Sequence, residues 1–94
     1  MKWVHELECI VQDGDDQRPF QVRIGQPTAV SGEEEYSCRV HAPALFKRDK
    51  EIFGADPEQA LELAVDFVKS MLKDKTLVDH NGRKIEIGRW PNSR

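Results

Sequence analysis

His5, Cys9 and Cys38 have the side-chain types of a metal site, because zinc takes imidazole nitrogen and thiolate sulfur. Read as strand residues, all three point to one sheet face. With one strand lying between them, Cys9 and Cys38 stand roughly 9 to 10 Å apart, too far for a shared tetrahedral site or a disulfide. The expectation is two reduced core thiols and no structural metal. Asp13, Asp15 and Asp16 have the look of a calcium loop, yet an EF-hand loop needs a bidentate Glu at its twelfth position, and Arg23, Ile24 and Gly25 occupy that neighbourhood. Nucleophilic catalysis needs Ser or Cys beside a His that a carboxylate orients. Ser37 and His41 share one face of a strand, but four residues of strand separate them by about 13 Å, and Cys38 points the other way. No Gly-rich phosphate loop is present. His80, between the end of a helix and a final hairpin, is the one acid/base group that a small enzyme or ligand site there would use. No catalytic residue and no cofactor is assigned.

The elements that position these side chains follow from hydrophobic spacing. Trp3, His5, Leu7, Cys9 and Val11 alternate with Val4, Glu6, Glu8, Ile10 and Gln12, the period of a half-buried strand whose odd set faces the core. After the turn-rich run DGDDQRP, Phe20, Val22 and Ile24 alternate with Gln21 and Arg23, giving a hairpin partner. A register with Val11 opposite Phe20, Cys9 opposite Val22 and Leu7 opposite Ile24 places Glu8 opposite Arg23 on the outer face. Tyr36, Cys38, Val40 and Ala42 form a third strand that Pro43 ends, and Ile52 and Phe53 a short fourth. Sequential antiparallel strands pair with their neighbours, so a meander of about four strands is expected.

The stretch FGADPEQALELAVDFVKSML then starts and sustains a helix. Asp56 caps it, Pro57 fits its first position, and Gln59 can bond back towards the cap. At 100° per residue the apolar positions from Ala60 to Leu72 cover about 200° of arc, more than the roughly 100° that one sheet face covers. Leu61, Ala64, Val68 and Met71 are expected against the sheet. Beyond it, Asn81-Gly82 between Leu77-Val78 and Ile85-Ile87 signals a two-residue hairpin turn. Residues 1–88 are expected to form one α+β domain, an antiparallel meander packed on one long amphipathic helix with a C-terminal hairpin or edge strand, and 89–94 a tail.

Composition bounds the function classes. A chain of 94 residues with 38% hydrophobic and 33% charged residues can bury roughly 60 to 65% of its unfolded surface in one core. Its net charge of −3 lacks the basic surface that general nucleic-acid binding uses. The start MKWVHELEC has no uninterrupted apolar run and no stretch reaches transmembrane length. With two cysteines and no disulfide framework, the setting is expected to be cytoplasmic.

The second strand QVRIGQP, the Tyr36-Ser37-Cys38 strand with its aromatic residue before a cysteine, and above all the IFGADPEQALELAVDFV run make the chain resemble a family of small bacterial domains of unassigned function. The resemblance spans about Phe20 to Leu72. It implies a strand meander followed by a helix, and it brings no substrate, cofactor or catalytic residue with it.

The residues left over point to contact rather than chemistry. Val4 and Ile10 are apolar on an otherwise charged sheet face, where Arg39 adds an interface-prone side chain. Leu63 and Phe67 mark the helix flank that a single sheet does not cover. These five are the candidate interaction residues of a non-enzymatic domain that binds another protein or itself, a homodimer included.

Overall fold

A computed structural model describes residues 2–91. The elements are β1 (Trp3–Asp13), β2 (Asp16–Gly25), β3 (Thr28–Ala29), β4 (Tyr36–His41), β5 (Lys50–Gly54), α1 (Pro57–Leu72), β6 (Thr76–Val78), β7 (Lys84–Ile85) and a short 3-10 turn, Ile87–Arg89. One antiparallel sheet contains all the strands, and α1 packs on one side of it. The expected meander is present: β1 pairs β2, β2 pairs β4, and β4 pairs β5. Because β5 occupies one edge of β4 from Tyr36 to Val40, β3 pairs Tyr36 and Ser37 on the other edge and continues the line of β2 past Pro27. On the far side, β6 adds to β1 and β7 to β6.

The β1–β2 register differs from the sequence expectation by two residues. Cys9 pairs with Phe20, Leu7 with Val22 and His5 with Ile24. The cause is the turn. Asp13 and Asp16 are themselves paired, and only Gly14 and Asp15 lie between them, with Gly14 at φ 64°, a left-handed conformation that glycine adopts without strain. The strands thus run on through most of what composition marks as loop. A shift of two keeps every side chain on its face, so the core is as expected while Arg23 takes Glu6 rather than Glu8 as its partner.

A second departure does change faces. Between Trp3 and His5 the pairing slips, so that Trp3 pairs with Gly25 while His5 pairs with Ile24. Such a bulge reverses the side-chain alternation beyond it. Trp3 therefore leaves the core face and lies beside His41 and Arg23 on the open side. His5 stays on the helix side, edge-on to Trp90 with ring centroids 6.1 Å apart.

The helix starts as the sequence requires. Asp56 Oδ1 accepts from the Gln59 N–H at 2.7 Å, and Gln59 Oε1 accepts from the Ala55 N–H at 2.6 Å. Its buried ridge is Ala60, Ala64, Val65, Val68 and Leu72, about 140° of arc at 100° per residue. Leu61 is half-buried, and Met71, expected against the sheet, is 37% exposed. The core is completed by Cys9, Phe20, Val22, Ile24, Cys38 and Val40 from the sheet. Trp90 joins it at 8% exposure, its indole N–H donating to the Glu6 carbonyl at 3.2 Å. The chain at 89–91 thus belongs to the packed domain rather than to a tail, and Asn92 to Arg94 lie outside the described residues.

The last hairpin is wider than two residues. Asp79 N–H donates to the Arg83 carbonyl at 2.8 Å, Gly82 takes φ 83°, and Asp79 Oδ1 accepts from the N–H groups of Asn81 and Arg83, both at 2.9 Å. These backbone donors, Arg83 first, hold the Asp79 carboxyl below its ordinary range.

Gly54 fixes the junction between sheet and helix. A Cβ there would lie 2.5 Å from Ala60 N and 2.8 Å from Ala60 Cα, backbone atoms that cannot swing aside. We expect Gly54→Ala to destabilise by about 1 to 3 kcal/mol through overpacking, Asp56→Ala by about 1 kcal/mol through loss of the cap, and Leu72→Ala by about 2 to 5 kcal/mol through a core cavity. Urea unfolding of the three variants checks this; a Gly54→Ala protein as stable as the parent would show that helix and strand are not seated as described.

Candidate functional site

Sheet alternation decides which side chains meet solvent on the side away from α1. Glu6, Arg23 and His41 lie in one row across β1, β2 and β4; Arg39 and Glu51 pair in the next, and Thr28, Ser37 and Phe53 in another. Trp3 joins them because of the bulge. Its ring centroid lies 5.7 Å from that of His41, and the Arg23 guanidinium stands 5.8 Å from it, within the range of a cation–π contact. Arg23 Nε is buried without a hydrogen-bond partner, resting 3.4 Å from Glu6 Oε1.

Asp49, in the loop before β5, closes the cluster. Its Oδ1 is 2.7 Å from His41 Nδ1, and its Oδ2 is 3.9 Å from Arg39 Nε. The carboxylate thereby ties the 43–49 loop down onto β4. A carboxylate on Nδ1 orients an imidazole as in a general base. Ser37, on the same strand, is about 13 Å away, so the pair has no hydroxyl nucleophile from that source. Next to it, Lys2, Gln26, Thr28, Ser37, Arg39 and Glu51 line a shallow concavity of about 230 Å³. Ammonium, guanidinium, hydroxyl and carboxylate groups meet there, a mixture that suits polar contacts of both signs.

The sequence candidates divide. Arg39 belongs to this cluster. Val4, 39% exposed, sits at the bulge. Ile10 lies at the other end of β1, half-buried between Pro19 and Val78, so it does not join Val4 in one patch. Leu63 is 41% exposed, and Phe67 is half-buried and stacked on Phe46 with centroids 5.8 Å apart; both belong to a separate surface on the helix. His80 is exposed at the rim of an open depression of about 360 Å³ shared with Glu8, Pro19 and Pro43, and no residue of α1 lines it. The sequence suggests Trp3, with Trp90, as an anchor near the end of this face while assigning its side chain to the core set, and it gives no sign of Asp49 or Phe53 as members of the site. Trp3 carried the parity of the core face, and only the slipped pairing reverses it; Phe53, 49% exposed, had a readable signal in its odd position beside core-facing Ile52.

The thiols are structural. Cys9 and Cys38 are buried and free, with β2 between their strands. The Cys38 thiol donates to the Gly25 carbonyl at 2.9 Å, and burial pushes its pKa from 9.0 to about 11; burial raises Cys9 as well. Among the described residues, no group of three or more His, Cys, Asp or Glu side chains is arranged to hold a metal ion, and no helix is long and apolar enough to cross a membrane.

The chain belongs to a family described as Domain of unknown function (DUF6968), whose model matches residues 5–90. The match takes in the buried Trp90. Comparison with curated proteins and with solved structures gives no match.

Because the folded state holds Cys38 protonated up to about pH 11 while the unfolded thiol ionises near 9.0, the thiol's contribution to stability is intact below pH 9 and is lost as pH rises towards 11. Cys38→Val should remove that part of the alkaline decline, measured by urea unfolding across this range. Thiol reagents at neutral pH should label neither cysteine until the protein is unfolded; rapid native labelling of Cys38 would contradict the burial.

Proposed function

We propose that this member of the DUF6968 family is a non-enzymatic binding domain whose open sheet face engages another protein. The observation that carries the reading is Trp3, turned out of the core by a β-bulge and set between Arg23 and His41. A tryptophan with an arginine against its ring is the composition of an interface centre, where burial of a large ring and charge-assisted hydrogen bonds supply most of the binding energy. Glu6, Asp49 and Glu51 around it supply acceptors, so the partner surface is one of mixed charge with an apolar side chain to cover Trp3. The two protonated, unpaired thiols fit a reducing, cytoplasmic setting. Phosphate-driven recognition of nucleic acid is a poor match to a chain of net charge −3.

The test compares three baits in an extract of the native host: the parent chain, Trp3→Ala/Arg39→Glu on the open face, and Leu63→Glu on the helix. The expected result is one protein retained by the parent and by Leu63→Glu and lost with the open-face variant, whose purified form then shifts amide resonances of β1, β2 and β4. Equal retention by all three baits, retention of nothing, or shifts confined to the helix would overturn the assignment. Circular dichroism of each bait separates lost binding from lost folding.

A further inference from the structure

The concavity on the open face holds more hydrogen-bond donors than the fold uses. Ser37 on β4 pairs with Thr28 on β3, and Arg39, two residues along the same face of β4, pairs with Glu51 on β5. The Gln26 N–H donates to the Lys2 carbonyl at 3.0 Å, which holds those two residues together at the rim. These six line a space of about 230 Å³. Among the described residues, none of their side chains makes a hydrogen bond within the chain. Arg39 alone is in an ion pair, and Asp49 stands 3.9 Å from its Nε, beyond hydrogen-bond length. Glu51, opposite Arg39 in register, is in none. Elsewhere on the surface such groups are used: the side chains of Gln21, Gln59 and Ser70 all bond within the chain.

We infer that this concavity takes a carboxylate side chain, Asp or Glu, of the protein that the open face binds. The inference rests on the reading of that face as a protein-binding surface and names what its partner must present. Donor chemistry sets the class. Lys2 and Arg39 are cations that can only donate, Thr28, Ser37 and Gln26 add neutral donors, and Glu51 is the single anion among the lining groups. Arg39, with no hydrogen bond of its own, presents a planar fork that a carboxylate meets with two parallel bonds. A chain terminus is a poorer occupant, since successive backbone N–H groups capture it, and the donors here belong to side chains. Glu51 selects among anions: it repels a phosphate group, with its roughly −1.5 to −2 charge, more than a singly charged carboxylate. Because Lys2 precedes Trp3, the partner's acid lies next to the apolar side chain that covers the indole.

Nuclear magnetic resonance of the isotope-labelled full chain, titrated at constant ionic strength with the blocked amino acid N-acetyl-glutamic acid α-amide, gives the test. Resonances of Thr28, Ser37 and Arg39 should follow one saturable curve. The neutral N-acetyl-glutamine α-amide should not move them, and inorganic phosphate should bind more weakly. Arg39→Gln should weaken binding by about tenfold and Lys2→Gln by about threefold, whereas Glu51→Gln should strengthen it by about threefold and phosphate binding by more. Arg18→Gln, on the β1–β2 hairpin, should leave the curve unchanged. Unshifted resonances of α1 and β6 show that each variant is folded. Equal shifts with the glutamine probe, tighter binding of phosphate than of the carboxylate, shifts at every surface Lys and Arg without saturation, or an Arg39→Gln curve equal to the parent's would each overturn the inference. The titration needs no partner protein, so the two readings fail separately. A partner retained through Trp3 beside a failed titration removes the carboxylate site alone; a saturable titration beside baits that retain nothing removes the protein partner and leaves the site standing.

Discussion

The backbone contact between Gly54 and Ala60 is the constraint on which the arrangement of the two layers depends. With a hydrogen in place of Cβ at 54, the first turn of α1 rests directly on the end of β5, and the Asp56 cap and Pro57 start the helix within three residues of that contact. Turn and contact together leave α1 little choice of direction. The ridge that faces the sheet then grows in side-chain size along the helix, from Ala60 and Ala64 to Val68 and Leu72, with the smallest residue where the two backbones meet. Volume added at the Gly54–Ala60 contact would push the first turn off the end of β5.

The sheet shows which structural facts leave a trace in a sequence. Alternation marks parity, so the strands, their core face and the meander are legible from Cys9, Val22, Cys38 and Val40. A displacement of β1 against β2 by two residues preserves parity, and the alternation of Leu7, Cys9 and Val11 reads the same in both registers. Only the turn discriminates, and Gly14-Asp15 is hidden inside a run where every residue is turn-compatible. The bulge at Trp3 is the opposite case. It changes parity, but the chain continues to alternate through it, so the most consequential outward side chain reads as core.

Helix limits were legible for a different reason: Asp56, Pro57 and Gln59 each act locally, and their spacing alone determines the cap. What the helix touches is not local. The width of its apolar arc states that something beyond one sheet face covers it, without naming the cover. Trp90 and the 3-10 turn supply one side, and an isolated tryptophan beside a proline near the end of a chain carries no periodic signal by which to place it. Met71 lies at an angle near that of buried Ala60, yet is 37% exposed, because an angle states the face of the helix and not what lies opposite each of its turns.

The open face and the helix lie on opposite layers, so the cluster of Trp3, Arg23, Arg39 and His41 is positioned by strand register and by the contacts of Asp49 rather than by the helix. Register alone sets Glu6, Arg23 and His41 in one row, the bulge adds Trp3 to it, and Asp49 holds the His41 and Arg39 side chains from the loop. Phe53, in an outward row of the same face, is 49% exposed. Charges of both signs beside partly exposed aromatic rings suit several modest contacts spread over the face rather than one deep one.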